Sequence, residues 1–327
     1  MKILRKIAGV VLTLIALCAV AFTIFWYSRP ADVSFEELKA GVPNSEYSKF
    51  AEIDGVKLHY QEKGTGTPVV LIHGFTSSTY TWKDVFGPMS EKFRVIAVDL
   101  KGFGFSDKPE GDYSRREQGR LINGLLTHLK IEKAWLVGNS MGGETALNAA
   151  LQAPDKISGL ILVDSAGVLF ESRNGLTPWY ARLPFVGRGI MAIALAGNGV
   201  VRSGLEKSFY DDKKVSDERV KYYHRLLSND RAQRAAMLAR QQFGNYPIED
   251  RLGEIKVPTL IIWGAEDEII PLEAGKKINS LITGSELKIY EKVGHIPEEE
   301  VPERLTADVI RFIEKTEKPA VSAEEKK

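Results

Sequence analysis

The sequence predicts an α/β fold in which helices flank a mostly parallel β-sheet. Short apolar runs alternate along the chain with longer helical segments, and the runs are nearly continuous in Val, Ile and Leu. Continuous runs are typical of strands covered on both faces, and alternating strands and helices are typical of parallel sheets with crossover helices. The 327 residues, 44% hydrophobic and 27% charged, suffice for one large core carrying an inserted piece.

The predicted strands begin with a hairpin over 50–62, turned by Asp54-Gly55. The buried strands then fall at 69–72, 95–100, 134–137, 160–163 and 259–263, with a last strand-like run at 287–290. Between them, the segments 114–129 and 141–151 are predicted to be helical.

The alternating pattern breaks between Gly167 and about Asp250, where no run predicts a strand and charged helical segments mix with Trp179 and Tyr180. A helical insertion on the α/β core explains this change. The predicted division is therefore a core over 48–167 and 246–317, a helical insertion over 168–245, and a polar linker over 29–47. The polar tail 318–327 is predicted to be disordered.

The N-terminal segment 7–27 carries no charge for 21 residues and closes with Trp26 and Tyr27. This length is about the ~20 residues that span a bilayer as a helix, and Trp and Tyr favour membrane interfaces. We therefore predict a membrane anchor over 1–28. A misread core segment is a weaker alternative.

A cleaved signal peptide is the main alternative, because Ala19-Val20-Ala21 has the small-x-small spacing of a cleavage site. The apolar run continues six residues beyond Ala21, which favours an uncleaved anchor. Lys2, Arg5 and Lys6 precede the run, and such positive charges stay in the cytoplasm. Either interpretation places the rest of the chain outside the cytoplasm, anchored on the periplasmic side or secreted after cleavage.

Charge and cysteine content exclude some classes of protein. Forty-four basic and forty-three acidic residues leave a formal charge of +1, so no nucleic-acid partner is predicted. The single cysteine, Cys18, lies in the apolar N-terminal run. It permits neither a disulfide within the chain nor a thiolate metal cluster.

The stretch G-N-S-M-G at 138–142 places Ser140 between a buried strand and a helix. A serine at the tip of a sharp strand-to-helix turn needs small neighbours two positions away, and Gly138 and Gly142 supply them. The amide groups and dipole of the following helix would point at an oxyanion formed there. A phosphate-binding loop is disfavoured, because neither G-x-G-x-x-G nor a Lys-Ser/Thr pair is present.

A serine nucleophile needs a histidine base. His295, in K-V-G-H-I-P, follows the last strand-like run and precedes the C-terminal helix, a loop position typical of catalytic groups. The other four histidines are interpreted as structural or surface residues; they are His59, His73, His128 and His224.

The imidazole in turn needs an acid that holds its tautomer. Asp267, in W-G-A-E-D-E, follows the strand at 259–263 and is favoured over Asp164 at the end of the preceding strand. Glu266 and Glu268 are interpreted as solvated neighbours. The predicted catalytic residues then occur in the order Ser140, Asp267 and His295.

From about residue 50 to 313, the chain resembles the α/β-hydrolase superfamily. The resemblance rests on H-G-F at 73–75, D-L-K-G-F-G-F-S-D at 99–107, G-N-S-M-G-G at 138–143, W-G-A-E-D at 263–267 and G-H-I-P at 294–297. It implies that the backbone amides of Phe75 and Met141 form the oxyanion hole. It also implies that the helical insertion is a cap over the pocket and that the 99–107 stretch is mainly structural, with Lys101 where arginine is commoner.

Ser140 argues against the related haloalkane dehalogenases and epoxide hydrolases, which use Asp at that position. The resemblance therefore implies a serine esterase or lipase that works through an acyl-enzyme on a small-molecule or lipid ester, with no metal or organic cofactor. A carbon-carbon hydrolase of aromatic ring-fission products is the alternative. A non-catalytic, membrane-anchored binding protein of the same fold is a third, and oligomeric state stays open.

Overall fold

The computed structural model describes residues 2–28, 32–169 and 184–317, and an eight-stranded sheet forms their centre. The strands are β1 (Ser48–Ile53), β2 (Val56–Lys63), β3 (Pro68–Ile72), β4 (Arg94–Val98), β5 (Ala134–Asn139), β6 (Ile157–Val163), β7 (Thr259–Gly264) and β8 (Glu286–Tyr290). Their order in the sheet is β1-β2-β4-β3-β5-β6-β7-β8. The first two pairings are antiparallel and the other five are parallel, which confirms the predicted fold class.

Helices cover both faces of the sheet. Those flanking it are α3 (Lys83–Ser90), α4 (Arg115–His128), α5 (Met141–Gln152), α10 (Leu272–Leu281), α11 (Pro297–Glu300) and α12 (Pro302–Glu317). In β3, Val70 and Ile72 join one core cluster, which includes residues of α4 and α5. Val69 and Leu71 join another cluster, which includes residues of α3 and α12. Two-sided burial is the reason that these strands are uninterrupted apolar runs.

Two local features refine the predicted strands. Asp54 and Gly55 both have positive φ angles, 50° and 78°, as the tight turn between β1 and β2 requires. Strand β4 ends at Val98, two residues before the predicted end. The reason is the side chain of Asp99, which accepts hydrogen bonds from the amides of Thr79 and Phe105 and turns the chain away from the sheet.

The insertion between β6 and β7 is helical over its described residues. It contains α6 (Pro184–Ala194), α7 (Gly199–Ser208), α8 (Asp217–Leu227) and α9 (Asp230–Gln241). Helices α7 and α8 share a cluster that includes Val201, Leu205 and Val220, and the core residues Tyr80 and Ile296 join it. In α9, Ala235 and Ala239 belong to the main core cluster instead. We call this unit the cap. Trp179 and Tyr180 lie outside the described residues, and so does the predicted disordered tail 318–327.

The predicted polar linker is more structured than its composition suggests. Over residues 32–47 it forms α2 (Phe35–Leu38) and two 3₁₀ turns. The ring of Phe35 packs edge-on against Phe50 and Phe105, with centroids 5.6 and 5.2 Å away, and Val42 is buried. Apolar side chains thus attach the described part of the predicted linker to the core.

The N-terminal helix α1 (Lys2–Ser28) is a candidate membrane span. Its residues 5–28 are long and apolar enough to cross a membrane, judged by length and composition alone.

Candidate active site

Ser140 occupies the turn between β5 and α5 with φ 53° and ψ −117°, a backbone conformation that side chains rarely adopt. The positions around Ser140 require glycine, because any larger residue would collide with neighbouring atoms. A Cβ on Gly138 would lie 2.4 Å from the Gly142 carbonyl oxygen, and one on Gly142 would lie 2.2 Å from the Ile72 carbonyl oxygen. A Cβ on Gly143 would lie 2.1 Å from the Ser165 hydroxyl. The structure therefore has the strained turn that the G-N-S-M-G-G sequence predicts.

The loop after β3 lies directly beside this serine. A Cβ on Gly74 would lie 3.3 Å from the Ser140 Cβ, so glycine lets the loop approach. Neither the Phe75 amide nor the Met141 amide donates a hydrogen bond to another part of the chain that the structure describes. Phe75 and Ser140 line the same cavity. Two free amides beside the serine suit an oxyanion, as predicted.

His295 and Asp267 form a hydrogen-bonded pair. The His295 Nδ1 atom lies 2.7 Å from Asp267 Oδ2, with side-chain exposures of 7% and 0%. The other carboxylate oxygen, Oδ1, accepts hydrogen bonds from the amides of Ile269 and Ile270 at 2.7 and 3.0 Å. Because both oxygens are occupied, the carboxylate has one orientation. Its bond to Nδ1 leaves Nε2 as the imidazole nitrogen available to a proton from Ser140.

The loop that carries His295 is held from two sides. The Asn139 amide group donates to the His295 carbonyl at 2.9 Å, and the His295 amide donates to the Ser208 carbonyl at 2.7 Å. Ser208 ends α7, so the cap contributes directly to the position of the histidine. A Cβ on Gly294 would lie 2.5 Å from the same Ser208 carbonyl, which explains glycine there.

Asp164, the rival acid, lies near Asp267 but makes no hydrogen bond with the His295 imidazole. It is fully buried at the end of β6, with φ 43°, and its Oδ1 accepts from the Gly264 amide at 2.8 Å. Burial, followed by the negative charge of Asp267, raises the pKa of Asp164 well above its usual range. These surroundings therefore favour the neutral form of Asp164, whose Oδ2 is buried without a hydrogen-bond partner among the described residues.

Ligand atoms of Asp164, Asp267 and His295 lie within 4.8 Å of one another, a spacing that a cation site would also have. The 2.7 Å contact of Nδ1 with Oδ2 is instead that of a hydrogen-bonded imidazole and carboxylate. That the reaction needs neither metal nor cofactor stays a prediction.

The described contacts of three other histidines are structural ones. His59 Nδ1 lies 2.7 Å from Asp99 Oδ2. His73 Nε2 accepts from the Leu100 amide at 3.0 Å, and burial lowers the pKa of its ring. His224 Nε2 lies 2.9 Å from the Leu195 carbonyl. Glu266, expected to be solvated, accepts from the Val293 amide at 3.0 Å and so supports the catalytic loop.

A cavity of about 370 Å³ lies between the core and the cap, and Ser140 and His295 line it together. Most of the cap side is aliphatic, from Met191, Leu195, Val200, Val201 and Leu205, and the cap also contributes Ser208, Tyr223 and Gln233. Such a cavity fits the 300–1,000 Å³ range of small-molecule sites.

Two buried glutamates behind the cavity wall were not predicted. Glu298 Oε1 and Glu299 Oε1 both accept from the Thr81 hydroxyl, at 3.0 and 2.9 Å. Glu299 also pairs with Arg219 at 2.7 Å. Glu298 has no cationic partner at that distance, and burial raises its pKa to about 8. In sequence they are part of an acidic run at the start of a helix, which usually indicates a solvated surface.

The family assignment follows from this geometry and from comparison with known proteins. A family model described as the alpha/beta hydrolase fold matches residues 67–300. The chain belongs to the α/β-hydrolase family. That match contains Ser140, Asp267 and His295, and the chain is accordingly a hydrolase.

Three known proteins illustrate the range of similar chains. An uncharacterized hydrolase, YugF, from Bacillus subtilis (strain 168) is 33% identical over 266 residues, covering 80% of this chain and 96% of that relative. The 2-hydroxy-6-oxo-6-phenylhexa-2,4-dienoate hydrolase of Comamonas testosteroni is 30% identical over 281 residues, covering 82% and 96%. A crystal structure of a membrane phospholipase A matches with a TM-score of 0.74 and 24% identity, covering 98% of this chain and 100% of that one. The last likeness bears on the fold alone, and its coverage extends into α1.

Proposed function

We propose that the chain is a serine hydrolase that cleaves carboxylic esters through an acyl-enzyme. The observation that carries this proposal is the composition of the cavity. Its described lining residues include no lysine or arginine, and most of those on the cap side are apolar. An uncharged acyl chain can enter such a cavity at little cost, since apolar surface is removed from water.

In the proposed mechanism, the same groups act first in acylation of Ser140 and again in deacylation. His295 Nε2 takes the Ser140 proton as Oγ attacks the ester carbonyl, while Asp267 stabilises the resulting imidazolium. The amides of Phe75 and Met141 hold the negative oxygen of the tetrahedral intermediate. His295 then protonates the departing alcohol. Water repeats the sequence on the acyl-enzyme, releases the acid and restores the serine.

Carbon-carbon bond hydrolysis is the second candidate, because a relative that is 30% identical is named a dienoate hydrolase. A dienoate carries a carboxylate, and burying an ion without a partner is costly. The absence of a cationic side chain among the described lining residues disfavours such a substrate. It supports a neutral ester instead.

Export and membrane anchoring are part of the proposal. The uncharged run of α1, preceded by basic residues, supports an anchor with the catalytic unit on the extracytoplasmic side. Esters of membrane lipids would be accessible to an enzyme held there.

A substrate panel tests the reaction. Purified enzyme is assayed with p-nitrophenyl esters of graded acyl length and with a ring-fission dienoate, and Ser140→Ala serves as the matched control. We expect turnover of the esters, lost in Ser140→Ala, and little turnover of the dienoate. Faster cleavage of the dienoate would establish the second candidate. Labelling of Ser140 by a fluorophosphonate separates either enzyme from a non-catalytic binding protein, which would stay unlabelled.

A further inference from the structure

Helix α6 of the cap presents three different faces. Met191 in its last turn and Leu195 directly after it line the cavity. Ile190 and Ile193 are exposed to 42% and 62%, an unusual exposure for two isoleucines on one short helix. Val200, the second residue of the next helix, is 54% exposed and also lines the cavity. The wall of the site is thus continuous with an exposed apolar surface, formed by Ile190, Ile193 and Val200, which we call the α6 surface.

The remaining face of α6 contacts the N-terminal helix. A Cβ on Gly189 would lie 3.5 Å from the Phe22 ring, so the two helices approach closely there. The Arg188 guanidinium lies 5.1 Å from the centroid of the Trp26 ring and donates both its 2.9 Å hydrogen bonds to the Asp230 carboxylate. Arg188 is the one charged residue between 184 and 194, and this ion pair partly neutralises it.

These contacts define the depth of α6 relative to the candidate span. Phe22 lies five residues before Tyr27, the end of the uncharged run, which is about 8 Å along a helix. If that run fills the hydrocarbon core, Gly189 lies below the membrane interface and its exposed neighbours face acyl chains. Arg188 lies higher, beside Trp26, where a basic side chain and an aromatic ring favour the boundary between lipid and water.

We infer that the α6 surface docks on the outer face of the lipid bilayer and that acyl chains of membrane lipids pass from there into the cavity. This inference rests on the proposed ester hydrolysis and anchoring, and it names the substrate class. The partner is the hydrocarbon edge of a bilayer. The length of the apolar run and the level at which α6 meets it favour this partner over a second protein.

Variants of the full-length protein in phosphatidylcholine vesicles test the docking. Ile193→Asp places a charge on the α6 surface, and Leu169→Asp is the matched control. Leu169 is 75% exposed, and its backbone is bound to Glu249 and Lys277 of the core. We expect Ile193→Asp to hydrolyse an ester lipid embedded in the vesicles at least ~10-fold more slowly than Leu169→Asp. Both variants should cleave a soluble short-chain p-nitrophenyl ester at the wild-type rate. Equal rates on the embedded lipid would overturn the inference.

A binding measurement separates docking from catalysis. An environment-sensitive fluorophore is attached to Ile193→Cys or Leu169→Cys after Cys18→Ala removes the single native thiol. At 193 we expect blue-shifted emission and quenching by lipids that carry a nitroxide on the acyl chain, and at 169 neither. A water-exposed signal at 193 would refute the docking even if esters are hydrolysed. Protein that docks but cleaves no ester would instead refute the proposed function.

Discussion

Asp267 and Asp164 are both buried carboxyl groups, yet replacement by asparagine should abolish most catalysis at Asp267 and change it little at Asp164. In Asp267→Asn, the carbonyl oxygen must still accept from the amides of Ile269 and Ile270, which occupy Oδ1. The amide nitrogen then points at His295 and donates to Nδ1. A histidine whose Nδ1 accepts a hydrogen bond carries its proton on Nε2, so it cannot take the proton of Ser140.

A wrong tautomer of this kind lowers kcat by about 10⁴-fold in serine hydrolases, equivalent to about 5 kcal/mol of transition-state stabilisation. Asp164→Asn differs, because the surroundings of Asp164 favour its neutral form, which asparagine resembles in shape and charge. Its carbonyl oxygen keeps the bond from the Gly264 amide, and its amide nitrogen takes the place of Oδ2, which has no hydrogen-bond partner among the described residues. Asparagine also tolerates the positive φ of this position. We expect kcat within about 3-fold of wild type.

Initial rates on a soluble ester from pH 5 to 9 measure both effects. Equal losses in the two variants would mean that Asp164 takes part as an ionised group. A loss confined to Asp164→Asn would move the acid to the end of β6.

A second readout is stability against pH. A folded-state pKa above the unfolded one makes the native state retain a proton that the unfolded chain has lost above about pH 4, so stability falls as pH rises. Asp164→Asn removes this loss, about 1.4 kcal/mol per pH unit, and should gain stability relative to wild type as pH increases.

Four further predictions follow from the site and the packing. Ser140→Ala and His295→Ala should each lower turnover by about 10³-fold or more with an unchanged circular dichroism spectrum; near-normal activity in either would remove it from the mechanism. Gly142→Ala should reduce soluble expression and the melting temperature, because its Cβ would lie 2.2 Å from a backbone oxygen; wild-type stability would contradict the close approach. Glu298→Gln should raise the free energy of unfolding at pH 8, because the pKa of Glu298 is about 8 in the folded state and 4.5 in the unfolded chain, a difference worth on the order of 5 kcal/mol. Denaturation curves that show no gain in stability with rising pH would mean that Glu298 titrates normally. Deletion of 1–28 should yield a soluble chain that still hydrolyses small esters, while full-length protein sediments with membranes and its catalytic unit is degraded by protease added to spheroplasts; protection there would place the site in the cytoplasm.

The mostly parallel sheet and the positions of its strands in the chain were predictable, because strands buried on both faces are continuous apolar runs. The position of Ser140 was predictable for a steric reason, since only glycine fits at 138 and 142. The sequence also marks His295 and Asp267 by their place after strands. What it could not indicate is the state of Asp164, because protonation depends on a neighbour about a hundred residues away in the chain.

The supports of the site were equally hidden. Asn139 acts through its contact with the His295 carbonyl, and Ser208 contributes only a backbone oxygen. A backbone contact leaves no trace in residue identity. Glu298 appears as part of a surface acidic run until the fold buries it. The attachment of residues 32–47 was not predicted, because Phe35 and Val42 belong to a short segment without a strand or helix period, and their partner Phe105 is distant in the chain.

The hydrogen bond between the His295 amide and the Ser208 carbonyl couples the position of the cap to the position of the catalytic histidine. A cap that swings away at the end of α7 takes with it the acceptor that fixes the catalytic histidine, so an open enzyme is also one with a loosened base. For anyone exchanging caps among members of this family to change specificity, the transferable unit is therefore the cap together with the backbone carbonyl that ends α7, in register with the glycine before the histidine.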